Sequence, residues 1–249
     1  MPAWLSDVPI LLDLLPILLA VSVVTVGSYV QSSIGFGLAI IAAPVLFFLN
    51  PSYVPAPITV CALALSIFNL WSHRNSVSFT GLAFAILGRI PGSVAGAILI
   101  YWIDQEALGL WIGISVLFAV VVSLKVIVLT PTRRHMFTAG FLSGFMGTST
   151  SIGGPPMALL LQHQTASFIR ANLSAFFTLS CVMSLLMLVP VGYFGTQQMW
   201  LSLPLLPGTW VGYWLARKTW HLISPELLRT SSLVLCSAAG IMAVISFWL

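Results

Sequence analysis

The sequence predicts an all-α integral membrane protein of about ten membrane segments, arranged as two inverted five-segment repeats over residues 1–130 and 131–249, with short or interrupted helices early in each repeat. The composition, the lengths of the apolar runs and a set of motifs that occurs twice all predict it. With 59% hydrophobic and 6% charged residues and a mean hydropathy of +1.07, the chain lacks the charged quarter that a water-facing globular surface carries. Ser33-Ile34-Gly35 returns as Ser151-Ile152-Gly153. Pro91-Gly92-Ser93 with Gly96 returns as Pro207-Gly208-Thr209 with Gly212, and Ile103 to Glu106 returns loosely as Ile223 to Glu226. The offsets are 118, 116 and 120 residues. Three matches in one order mark an internal repeat.

About 20 apolar residues cross a bilayer as a helix. Runs near that length occupy 10–31, 54–72, 79–101, 107–129, 168–193, 197–219 and 226–248, and shorter runs at 35–49, 136–148 and 153–162 complete five segments per half. The first run follows Asp7 and contains Asp13, with no Lys or Arg ahead of it. It therefore reads as a retained helix, the reverse of a secretory signal peptide with its basic start. Arg74, Arg133, Arg134, Arg170, Arg217 and Lys218 fall in or beside the third, fifth, seventh and ninth connections, whereas Asp104 and Glu106 lie in the fourth. The positive-inside rule places the basic side in the cytoplasm, and an even number of passes leaves both termini outside. Five passes per half is odd, so the second half enters the membrane in the opposite direction. Inverted repeats are the recurrent architecture of secondary carriers, whose site lies near the midplane at the repeat interface.

Both halves are interrupted at matching places, Gln31 to Gly37 and Gly147 to Pro156. Glycine and proline make a continuous helix costly there, and broken helix at membrane depth is tolerated only where protein or a water-filled cavity satisfies its backbone. The helix that starts after each break offers free N–H groups and a positive dipole end, a ready anion site, and hydroxyls add donors. Candidate substrate-binding residues are therefore Gln31, Ser32, Ser33, Gly35 and Gly37 in the first break, and Ser149, Thr150, Ser151, Gly153 and Gly154 in the second. Small residues also let membrane helices approach closely, but their equivalent repeat positions beside short segments favour a binding element.

Arg89 is the second signal. Ten residues into its segment, at 1.5 Å per residue, it lies roughly 15 Å deep in a hydrocarbon core about 30 Å thick. A charge there is expensive and faces a cavity or a partner, yet no Asp or Glu occurs inside any span, and the equivalent residue of the second repeat is Leu205. Contact with an anionic substrate is the leading reading; snorkelling, or hydrogen bonding to carbonyls near the Pro91-Gly92 break, is the competing one.

Other polar residues point to structure. His73, His135, His163 and His221 sit at loop edges without HxxxH or HExxH spacing, so no metal and no cofactor is expected. Asp104 and Ser224, with Glu106, Pro225 and Glu226 just inside the following helices, read as caps. Asn69 and Asn172 lie near cytoplasmic span ends, as vestibule residues or interhelical hydrogen bonds. Trp4, Tyr101, Trp102, Trp200 and Trp248 read as interface anchors. Cys61, Cys181 and Cys236 lie in apolar runs, against a disulfide framework. The net charge of +4 is scattered and forms no basic stripe, which sets nucleic acid aside. The partners expected are a small anion and the lipid bilayer; a homodimer is left open. The absence of carboxylates at depth removes the usual proton relay or charged sodium site, and Ser149 and Ser151 have no evident base nearby to make a hydrolase.

The repeated SxxGxG-like and SIGGPP segments, with Ser143-Gly144-Phe145 flanking the second, resemble the TauE/SafE family, also called the sulfite exporter or 4-toluene sulfonate uptake permease family. The resemblance spans the whole chain and is stronger in the second repeat, since Phe36 and Gly37 replace its Gly-Pro. It implies a bacterial inner-membrane carrier of sulfite, sulfoacetate or other organosulfonates, commonly an exporter. The alternative is an anion channel, or an uptake permease for a related oxyanion or carboxylate. The family's motif positions fall on Ser33, Gly35, Gly37, Ser151, Gly153, Gly154 and Pro155.

Overall fold

The structure, a computed structural model, describes residues 8–78, 82–124, 130–219 and 225–245. The described residues contain no strand. Its helices are α1 (Val8–Ile34), α2 (Leu38–Leu49), α3 (Ala56–His73), α4 (Leu82–Trp102), α5 (Gln105–Leu124), α6 (Arg133–Thr150), α7 (Gly154–Leu161), α8 (Ala166–Leu188), α9 (Thr196–Ser202), α10 (Leu206–Thr219) and α11 (Pro225–Ile245). The expected segments reappear with two changes. The run at 197–219 is two helices joined by a 3₁₀ turn, Leu203–Leu205, because Pro204 and Pro207 remove N–H groups from the helical ladder. The interruptions are also narrower than the sequence predicts: Gln31, Ser32 and Ser33 stay helical in α1, and Gly147 to Thr150 stay helical in α6. Only residues 35–37 and 151–153 leave the helix.

Among the described residues, five stretches are long and apolar enough to cross a membrane: Leu14–Ile34, Pro51–Ser76, Leu82–Trp102, Gln105–Leu124 and Ala166–Leu188. The two short helices that follow the breaks, α2 and α7, are interior ones. Of the 12 residues of α2, Leu38 to Pro44 and Leu46 are buried, and so are Pro155 to Ala158, Leu160 and Leu161 of α7. The long helices separate an apolar outer stripe from a small-residue inner one. On α4, Leu87, Ile90, Val94 and Ile98 are exposed, while Gly88, Gly92, Ser93 and Gly96 are buried. This is the pattern of a helix with lipid on one side and protein on the other.

The strongest helix pairings are α4 with α6, α1 with α10, α3 with α8 and α5 with α11. Exchanging α1, α2, α3, α4 and α5 for α6, α7, α8, α10 and α11 turns the α4–α6 pair into α10–α1, α4–α8 into α10–α3 and α1–α2 into α6–α7. It returns α3–α8 and α5–α11 to themselves. The close contacts correspond in detail. A Cβ added at Gly92 would lie 2.1 Å from the Phe141 carbonyl oxygen, and one at Gly96 would lie 2.5 Å from that of Phe145. In the other half, a Cβ at Gly208 would lie 2.9 Å from the Val21 carbonyl and one at Gly212 2.3 Å from that of Thr25. Both pairs of carbonyls are four residues apart, one helical turn.

Asp104 caps α5 as expected, its Oδ1 accepting from the Ala107 N–H at 2.8 Å. Both asparagines tie elements together. Asn69 donates to the Ser32 hydroxyl at 3.2 Å, and Asn172 accepts from the Ser78 N–H at 3.0 Å, holding α8 to the connection after α3. Ser224, His221, Trp4, Trp248 and the side chain of Glu226 lie outside the described residues.

Candidate functional site

Arg89 is 3% exposed, and glycines make the space for it. A Cβ at Gly147 would lie 2.8 Å from its Nη2, and one at Gly153 3.1 Å from its Nη1. Nη1 donates to the Ser143 carbonyl at 2.7 Å and to the Ser143 hydroxyl at 2.8 Å. Nη2 donates to the Ser180 carbonyl at 3.3 Å and to the Ser184 hydroxyl at 2.9 Å. The guanidinium carbon lies 5.6 Å from the centroid of the Phe176 ring, a cation–π distance. The charge is therefore spread over neutral dipoles on α6 and α8. Carbonyl contacts, the competing reading of Arg89, are present, though to Ser143 and Ser180 and away from the Pro91-Gly92 break. They leave two polar atoms over. Arg89 Nε and the Ser180 hydroxyl are buried with no hydrogen-bond partner, and a buried polar group without a partner calls for an explanation.

Ser143 joins Arg89 to the second break, since its hydroxyl donates to the Gly153 carbonyl at 2.5 Å. In that break Ser151 is left-handed, φ 67°, a conformation that non-glycine residues hold only when their surroundings impose it. The surroundings here are the start of α3: the Ser151 hydroxyl donates to the Pro55 carbonyl at 2.7 Å and lies 3.0 Å from the Thr59 hydroxyl. In the first break Gly35 and Gly37 have φ 99° and 130°, values that favour glycine. The Leu38 N–H, at the start of α2, donates to Gln31 Oε1 at 3.2 Å. The two helix starts differ: Pro155 and Pro156 carry no N–H, so α7 has fewer free donors than the sequence predicts for a helix start.

A cavity of about 40 Å³ lies where these elements meet. A single water needs about 10–15 Å³ on this kind of measure, so the space suits a ligand of a few heavy atoms. Of the candidate substrate-binding residues, Gln31, Gly37, Arg89, Ser151, Gly153 and Gly154 line it. Ser32, Ser33, Gly35, Ser149 and Thr150 do not. The Ser33 hydroxyl donates to the Tyr29 carbonyl at 2.8 Å, the Ser32 hydroxyl accepts from Asn69, the Ser149 hydroxyl accepts from Trp111 Nε1 at 2.9 Å, and the Thr150 hydroxyl donates to the Met146 carbonyl at 2.8 Å. Gly35 packs instead against α8, a Cβ there lying 3.1 Å from the Leu173 side chain.

A family model described as sulfite exporter TauE/SafE matches residues 18–243, nearly the whole chain. The chain belongs to the TauE/SafE family. No curated protein and no solved structure matches it. As a TauE/SafE protein it is a multi-pass membrane protein of a transporter family, and the matched span takes in both breaks, Arg89 and every residue of the cavity wall. Residue patterns alone leave out Thr59, Ser180, Cys181 and Ser184 from the wall of this TauE/SafE cavity, and Ser143 from the Arg89 network. Their signal lies in their spacing to one another: Ser180 and Ser184 are one turn apart on α8, the helix that packs against Arg89.

Proposed function

We propose that this protein is a secondary carrier of small sulfur-containing anions, with sulfite and organosulfonates as substrates, working by alternating access between two inverted repeats and favouring export. One observation carries the reading: a buried arginine with no carboxylate partner, at a small cavity shared by both helix breaks, keeps Nε and the neighbouring Ser180 hydroxyl free for a ligand. An anion supplies what that arginine lacks. The corresponding helix pairings and glycine contacts support the repeat, and an odd number of segments per repeat makes it inverted. Export needs no ion coupling, since an inside-negative potential drives an anion outward at about 2.3 kcal/mol per charge per 100 mV. Purified protein in liposomes should move labelled sulfite with saturable kinetics and counterflow. Flux that never saturates would instead describe a channel, and no flux of any small anion would remove the transport reading.

The reading separates two hydroxyls. Ser180→Ala removes a group that has no protein partner, so stability should hold while anion affinity falls about ten- to hundredfold, the value of one hydrogen bond to a charged group at about 1.5–3 kcal/mol. Ser33→Ala removes a hydroxyl bonded within its own helix, outside the cavity, and should leave affinity unchanged. Anion titration of both variants checks this pair of outcomes. The proposed orientation, with both termini outside the bacterial inner membrane, has its own check. In a background free of Cys61, Cys181 and Cys236, Asp104→Cys should react with an impermeant thiol reagent in intact cells and Arg133→Cys should not; the opposite pattern would reverse the topology.

A further inference from the structure

The charge inventory of the cavity limits what it can hold. Among the described residues, Arg89 is the one formally charged side chain on the wall; the others are apolar, amide, hydroxyl or, at Cys181, a free thiol. The chain has five acidic residues. None of those whose side chains are described lines the cavity, and Asp104 and Glu106 are exposed at the turn between α4 and α5. The helices packed against α4 add no second charge near Arg89. On α6 the ionisable groups are Arg133, Arg134 and His135, confined to its first turn. On α8 they are Arg170 and Cys181, and Arg170 is half-buried, donates to the Ser33 carbonyl at 3.4 Å and stands off the wall.

An unliganded cavity thus contains one positive charge. A monoanion brings the enclosed charge to zero, and a dianion takes it to minus one. Charge left uncompensated away from water is strongly disfavoured, whereas a matched and hydrogen-bonded pair is tolerated. We propose that this site, taken as the anion site described above, selects singly charged anions over dianions, binding alkylsulfonates and hydrogensulfite and rejecting sulfate and the sulfite dianion. The wall agrees. Phe36, Ile40, Ile152 and Phe177 give it an apolar side that fits a short alkyl group. Of the buried side-chain atoms without a hydrogen-bond partner, two belong to wall residues, Arg89 Nε and the Ser180 hydroxyl.

The test is counterflow of labelled methanesulfonate in liposomes containing the full-length protein, with unlabelled competitors. At neutral pH, sulfate should compete at least about a hundredfold more weakly than ethanesulfonate. The ionisation of hydrogensulfite to sulfite lies near neutrality, so total sulfite needed for half-inhibition should rise with pH and stay constant when expressed as hydrogensulfite; methanesulfonate counterflow alone, run over the same pH range, corrects for any effect on the protein. In Arg89→Lys, which keeps the charge, discrimination between ethanesulfonate and sulfate should survive a loss of affinity for both. The proposal is overturned if sulfate competes within a few-fold of ethanesulfonate, or if inhibition by sulfite follows total sulfite at every pH. Absence of counterflow with methanesulfonate, sulfite and sulfate alike would overturn the anion-site reading itself, and this inference with it.

Discussion

Arg89→Gln is expected to weaken anion binding about ten- to hundredfold. Charge-assisted hydrogen bonds contribute about 1.5–3 kcal/mol, and 1.4 kcal/mol is a decade in affinity. Gln is also shorter and has one NH2 group where Arg89 uses two to reach Ser143 on one helix and Ser184 on another, so part of the network between α6 and α8 is lost with the charge. The stability change should be smaller than the binding change, because the substitution also relieves the cost of keeping an arginine away from water. Arg89→Lys should be intermediate, since an ammonium cannot hold both serines and a ligand in the geometry of the planar guanidinium. Titration with methanesulfonate, alongside thermal unfolding of the same samples, separates the terms. Normal affinity in a destabilised Arg89→Gln protein would make the residue structural.

Gly140→Val should be the most disruptive single change outside the cavity. A Cβ at Gly140 would lie 1.9 Å from the Ala85 carbonyl oxygen, which is backbone and cannot rotate aside, so α4 and α6 must separate along their seam. Overpacking a close-packed interface costs typically about 1–3 kcal/mol and occasionally more. Gly212→Val, which presses on the Thr25 carbonyl in the α1–α10 seam, should cost a similar amount, because the two seams correspond under exchange of the halves. Gly195→Ala is the control: its Cβ would meet only the end of Gln198 at 3.6 Å. Thermal unfolding of the purified variants should rank Gly140→Val and Gly212→Val well below wild type, with Gly195→Ala unchanged. Wild-type stability in Gly140→Val would contradict the packing described for that seam.

The features legible in the sequence are those with a large or repeated signal. The apolar runs give the helices their places, the recurring glycines mark both seams, and a lone arginine within a span marks the cavity. The narrower limits of the breaks were not legible, because Ser and Thr can stay helical by donating to a carbonyl one turn back. Ser33, Thr150 and Ser174 all do so. The hydroxyls beside Arg89 were hidden for a different reason. Ser180 and Ser184 read like any other serine of an apolar helix, and only the packing of α8 against α4 brings them to Arg89. Ser32 and Ser149 were plausible cavity residues by position and are taken up by Asn69 and Trp111 from neighbouring helices, partners far away in sequence.

Cys181 gives the most direct test that the cavity is where the anion sits. It lines the cavity beside Arg89, whereas Cys61 and Cys236, also buried, do not. In protein carrying Cys61→Ser and Cys236→Ser, the rate at which the small neutral reagent methyl methanethiosulfonate modifies Cys181 can be followed with and without methanesulfonate. Methanesulfonate should slow the reaction in proportion to its occupancy, and Arg89→Gln should shift the protecting concentration about ten- to hundredfold upward, in line with its loss of affinity. Modification at an unchanged rate in saturating methanesulfonate would contradict the account and place the anion elsewhere in the protein.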